Sequence, residues 1–112
     1  MPEQTVAEIT EEVIQSVKHR ILTECRPKAI YLFGSAAAGE TNPNSDLDIL
    51  VVTDLPAGKS RWALAGDLYS SLVDISVPVD IIVISPEEFQ EGLDLPGHVA
   101  RIAAQEGRKL YE

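Results

Sequence analysis

Asp46 and Asp48 stand two apart, separated by Leu47, and lead into the apolar run Ile49-Leu50-Val51-Val52. Side chains alternate across a strand, so both carboxylates project from one face while Leu47 turns into the core. Two such groups resist joint ionisation. A fold tolerates them at a solvated edge or around a cation, and hard cations such as Mg²⁺ bind one or two carboxylates plus substrate phosphates. Asp80 is the one charge in Val79-Asp80-Ile81-Ile82-Val83-Ile84. A lone charge there is costly if buried unpaired. Either it sits at a solvated strand start, or it stands beside Asp46 and Asp48 on an adjacent strand and completes a three-carboxylate cage. Gly34-Ser35 ends a further apolar run and precedes Ala36, Ala37 and Ala38. If a strand turns into a short helix here, free N–H groups and the positive dipole end suit phosphate. Gly34 permits close approach, and Ser35 adds a hydroxyl.

The elements that must position these residues follow from periodicity. Thr5 and Glu8 read as a capping box. Val6, Ile9, Val13, Val17 and Ile21 recur at helical spacing, which predicts a helix over residues 6–25, ended by Arg26-Pro27. Strands are expected over residues 29–33, 47–53 and 79–84, with one helical turn at residues 36–38 and turn chemistry at Asn42-Pro43-Asn44. Leu64, Leu68 and Leu72 predict a helix over residues 60–72, with Trp62 and Tyr69 read as core. Ser85-Pro86-Glu87-Glu88 starts a helix running to about residue 91. Glu87, Glu88 and Glu91 then form its solvated face. A last helix is expected over residues 98–105, and Arg108 to Glu112 reads as a tail. A strand apolar on both faces needs cover on both sides. The class is therefore α/β, expected as a single domain over residues 1–112.

Composition narrows the function. The 112 residues carry a formal net charge of −9, which argues against an extended nucleic-acid surface, since such binding is dominated by Lys and Arg. The acidity permits a basic protein partner, and a solvated acidic surface suffices for most of these carboxylates. No apolar run approaches the ~20 residues of a membrane span, and the polar N-terminus is no signal peptide. The single cysteine, Cys25, agrees with a reducing compartment, so a cytoplasmic location is expected. Cys25 reads as a small apolar residue, and His19 and His98 lack metal-ligand spacing. The sequence leaves self-association open.

Gly34-Ser35, ten residues, Asp46-x-Asp48 leading into an apolar strand, and Asp80 on a third strand form a specific arrangement. It resembles the minimal nucleotidyltransferases of the DNA polymerase β superfamily. Residues 31–52 look like that family's signature, and Val79-Asp80-Ile81-Ile82-Val83 looks like its third-carboxylate strand. The resemblance implies a polymerase-β-like palm: a small mixed α/β (α+β) sheet of about three strands covered by helices. It implies that Gly34 and Ser35 hold the triphosphate of ATP or another nucleoside triphosphate. Asp46 and Asp48 would ligate two Mg²⁺ ions, and Asp80 would ligate the catalytic one and help deprotonate an attacking hydroxyl. Small members resemble the antitoxin halves of toxin–antitoxin pairs whose partner is a helical HEPN-domain ribonuclease. Some are thought to adenylylate a tyrosine on that partner.

Many relatives carry a basic residue among the three positions after Gly-Ser, where this chain has Ala36, Ala37 and Ala38. Lys59 and Arg61 are the nearest candidates for a phosphate-facing cation. The expected function is Mg²⁺-dependent transfer of a nucleoside monophosphate, AMP from ATP, to a hydroxyl on a partner protein. The alternative is a catalytically weak or inactive antitoxin-type module that neutralises its partner by complex formation. Transfer to a small molecule is a third reading, and it usually needs an added domain to hold the acceptor.

Overall fold

The computed structural model describes residues 9–37 and 46–112. Helix α1 (Glu11–Glu24) leads into strand β1 (Ala29–Phe33), followed by β2 (Leu47–Val52), α2 (Arg61–Ser71) and β3 (Val79–Ile84). Helices α3 (Pro86–Gly92) and α4 (Val99–Glu106) and strand β4 (Arg108–Tyr111) complete the order. The sheet order is β3-β2-β1-β4. β1 is antiparallel to both β2 and β4, whereas β2 and β3 are parallel. A parallel pair needs a crossover, and α2 supplies it.

Alternation sorts the strand residues into two layers. Ile30, Leu32, Leu47, Ile49, Val51, Ile81 and Val83 pack with Ile14, Val17 and Ile21 of α1 and Leu64 and Leu68 of α2. The opposite face, with Ala29, Tyr31, Leu50, Val52 and Ile84, packs on Phe89 of α3 and on Ala100 and Ala103 of α4. Tyr31 and Phe89 stack there with ring centroids 5.4 Å apart. Leu47 faces the core, as the alternation requires. Burying each such aliphatic side chain stabilises by about 1.5–3 kcal/mol, so the helices are fixed to the sheet by their apolar stripes. Local signals set their starts. Ser60 caps α2 through Ala63 N–H, and Ser85 and Glu88 form a reciprocal capping box on α3. His98 Nδ1 accepts the Ala100 N–H at the start of α4.

Four expectations are corrected. The first helix starts at Glu11, where Thr10 accepts the Val13 N–H; the Thr5–Glu8 capping box lies outside the described residues. Ser35 to Ala37 form a turn and not a helix, because a short alanine run has too few residues to repay helix nucleation. Ala38, Gly39 and the Asn42-Pro43-Asn44 stretch lie outside the described residues. The C-terminal tail is a fourth strand. A side chain at Gly107 would collide with the carbonyls of Leu32 and Ala103, so glycine lets β4 leave α4 and settle tightly along β1. Finally, Trp62 and Tyr69 are not core: they are 86% and 41% exposed. The stripe of Leu64 and Leu68 already fills the layer, and both aromatic residues fall beside it.

Candidate active site

The parallel register places Asp48 directly opposite Asp80. Register partners in a parallel ladder project from the same face, here the face covered by α3 and α4, as Leu50 and Ile82 two residues on show. Both aspartates lie at the end of the strands where that cover stops. Asp48 is half-buried, while Asp80 and Asp46 are exposed. Asp46 precedes β2 and is not part of it. Partial burial pushes the Asp48 carboxyl up from the ordinary range, and the charges of Asp80 and Asp46 push it further in the same direction. The three carboxylates therefore share one electrostatic neighbourhood.

Antiparallel pairing sets Phe33, the last residue of β1, against Asp48. The chain then turns at Gly34 with φ +78°, a conformation that favours glycine. A Cβ at Gly34 would run into Asp48 Oδ2. The Gly34 backbone thus lies against the carboxylate that the sequence places beside it, and half-buried Ser35 follows in the turn. The sequence motif accordingly converges: Gly34 abuts Asp48, Asp80 opposes Asp48, and Asp46 adds its charge. Among the described residues no helix starts after Gly34-Ser35, where residues 35–37 form a turn.

Among the described residues, no three His, Cys, Asp or Glu side chains are gathered into a formed metal-binding group. Like charges repel, and Asp80 is held from outside the cluster. The Tyr69 hydroxyl accepts the Ile81 N–H at 2.8 Å and lies 3.4 Å from Asp80 Oδ1. Sequence reasoning missed this residue. Its one signal was a hydroxyl-bearing aromatic just off the leucine stripe of α2, where it can reach round the sheet edge. The donor set nonetheless fits a hard cation: hard oxygen ligands around a carboxyl whose charged form is disfavoured by its neighbours.

The two proposed phosphate-facing cations are engaged elsewhere. Lys59 pairs with Asp67, and Arg61 pairs with Glu88 at 2.7 Å. Glu88 belongs to α3, which follows the far end of β3 from Asp80.

Comparison with known proteins bears on the family and the fold. Residues 10–110 match the family model described as Nucleotidyltransferase domain. A Methanocaldococcus jannaschii protein, provisionally named a protein adenylyltransferase, is 37% identical over 87 residues, covering 77% of this chain and 80% of that protein. The crystal structure of a provisionally described nucleotidyltransferase from Sulfolobus solfataricus superposes with a TM-score of 0.60 at 18% identity, over 90% of this chain and 78% of that one, a likeness of fold. A chain of a toxin–antitoxin crystal structure determined with AMP-PNP superposes with a TM-score of 0.52 at 25% identity, over 92% of this chain and 73% of that one. With the match running over nearly all of its elements, and with paired aspartates beside a glycine turn, the chain belongs to the nucleotidyltransferase domain family.

Proposed function

We propose that the protein transfers AMP from ATP to a hydroxyl on a partner protein, with residues 1–112 acting as one catalytic unit in the cytoplasm. The observation that carries this reading is the register of Asp48 against Asp80 beside the Gly34 turn. The name of the M. jannaschii relative supports the choice of AMP and of a protein acceptor. The likeness to a toxin–antitoxin chain supports a dedicated partner, for which a helical HEPN-domain protein is the candidate.

Asp46, Asp48 and Asp80 would hold two Mg²⁺ ions. Bound there, the ions would neutralise triphosphate charge and favour the ionised form of the attacking hydroxyl. Gly34 leaves backbone open to phosphate oxygens, and Ser35 adds a donor hydroxyl. Asp80, exposed at the edge of the sheet, accepts the acceptor's proton. The freed oxygen forms a bond to the α-phosphorus, the bond from that phosphorus to the bridging oxygen breaks, and pyrophosphate leaves. Positioning the groups in line, together with neutralising the developing charge, accounts for most of the acceleration such a site can supply.

The test uses ATP labelled at the α-phosphate, Mg²⁺, and the partner protein captured with this chain from its own cells, a HEPN-domain protein being the one expected. Label on the partner, lost with Asp80→Asn, supports transfer. Tight complex formation without label would instead favour an antitoxin that acts by binding alone, a reading to which the engagement of Lys59 and Arg61 in other ion pairs lends weight.

A further inference from the structure

β3 is the outer strand of the sheet, paired on one side with β2, and among the described residues no strand lies along its other side. Edge strands invite pairing, and proteins usually blunt them with Lys, Pro or a bulge. β3 has one charge, Asp80, near its start, and from Ile81 to Ile84 it carries no charge, Pro or bulge. A groove of about 240 Å³ runs beside its later half, between Ile81–Ile84 and Arg61, Trp62 and Ala65 of α2. Trp62 stands over it at 86% exposure. Towards Asp80 the edge is closed, because Tyr69 already holds the Ile81 N–H.

Charge identifies the occupant. The chain has 18 acidic against nine basic side chains. Residues 1–8 and 38–45 contain no Lys or Arg, and the charges that act on Asp48 are those of Asp80 and Asp46. Arg61 at the groove is neutralised by Glu88. Asp80 lies just beyond the end that Tyr69 closes, about three residues or ~10 Å along the strand from Val83.

Building on the nucleotidyl-transfer reading, we infer that an extended segment of the partner, rich in Lys or Arg, adds as a strand to the free edge of β3 beneath Trp62. Backbone pairing at Val83 gives it direction, and its alternate side chains contact Trp62 and Ala65. Tyr69 stops the pairing at Ile81, so the segment leaves the edge beside Asp80. That delivers an acceptor hydroxyl to the carboxylates, together with the positive charge that this chain does not bring to them. A second copy is a poor occupant, since two chains of net charge −9 repel.

The test uses the whole protein. Displayed random peptides about eight residues long are selected against it without nucleotide. Selected peptides should alternate apolar residues with Lys or Arg. They should shift the emission of Trp62, the single tryptophan, to the blue. Trp62→Ala, or N-methylation of alternate peptide amides, should weaken binding by about tenfold or more in calorimetry. Acidic or patternless selections, indifference to both changes, or no selected peptide at all would overturn the inference. So would a Trp62-dependent dimer in sedimentation, which makes a second copy the occupant. Titration of ATP with Mg²⁺ separates the two readings. Intact nucleotide binding with failed peptide binding removes the docking edge alone, while the reverse removes the nucleotide site and leaves the edge.

Discussion

Asp48 and Asp80 oppose each other across the parallel ladder of β2 and β3, and the Gly34 turn closes directly over Asp48. One half-buried carboxylate is thereby held against a second and against a backbone that admits no side chain. Each contact has a measurable consequence.

Asp48→Asn removes a charge that its surroundings disfavour. It should raise the melting temperature in chelator, by at most about 1 kcal/mol, because solvent at the open end of the site screens the repulsion. Mg²⁺ with a non-hydrolysable ATP analogue binds only the folded state and should stabilise the wild type by mass action. The variant should gain much less. Thermal melts of both proteins in both buffers decide it; parallel gains would remove Asp48 from cation binding.

Gly34→Ala places a Cβ against Asp48 Oδ2 and leaves a non-glycine residue at φ +78°. The strain costs about 1–3 kcal/mol. Because the displaced group is Asp48, nucleotide affinity should fall well beyond what the stability loss explains. Alanine at Gly58, which also has positive φ but open space around it, is the control: it should lose stability and keep affinity.

Tyr69→Phe removes the acceptor of the Ile81 N–H and the hydroxyl near Asp80. The unsatisfied amide costs about 1–3 kcal/mol. If Tyr69 positions Asp80, turnover should fall while the KM for ATP hardly moves, since the Gly34 turn proposed to hold the triphosphate is untouched. Unchanged turnover would restrict Tyr69 to a structural role.

Acid should loosen α1 first. Arg108 hydrogen-bonds Glu11 and holds its carboxyl down to about 2, and Arg20 does the same for Asp74, also to about 2. Both folded pKa values lie below the unfolded ones. Their contribution is therefore full above the ordinary carboxylate range and is lost as pH falls towards 2. Denaturant midpoints between pH 5 and 2 should fall less in the Glu11→Gln, Asp74→Asn double variant than in the wild type. Salt should shrink the difference, because both pairs are exposed.

Much of this was legible in the sequence where local chemistry dominates. The runs at β1 and β3 and the Ser85 box gave their elements directly, since apolar patterning and capping act over a few residues. The opposition of Asp48 and Asp80 was one of two readings that an aspartate in each of two apolar runs allowed. β4 was not legible: Arg108-Lys109-Leu110-Tyr111 has little apolar content, and its pairing depends on what Gly107 permits at Leu32. Nor was Tyr69. A helix residue just off the apolar stripe reads as packing unless one knows that the neighbouring strand ends the sheet and leaves an amide turned outward.

The Ile81 amide deserves a different kind of reading for that reason. It is secured by a side chain of α2, whereas most strand amides are secured by another strand. Its exchange with deuterium should therefore follow the breathing of the helix and not the parting of the ladder. Slight warming that loosens α2 would release this proton, and with it Asp80, while Ile82 beside it remains protected. Asp80 would then lose its hydroxyl neighbour before the protein unfolds, and a single amide resonance would mark the temperature at which that happens.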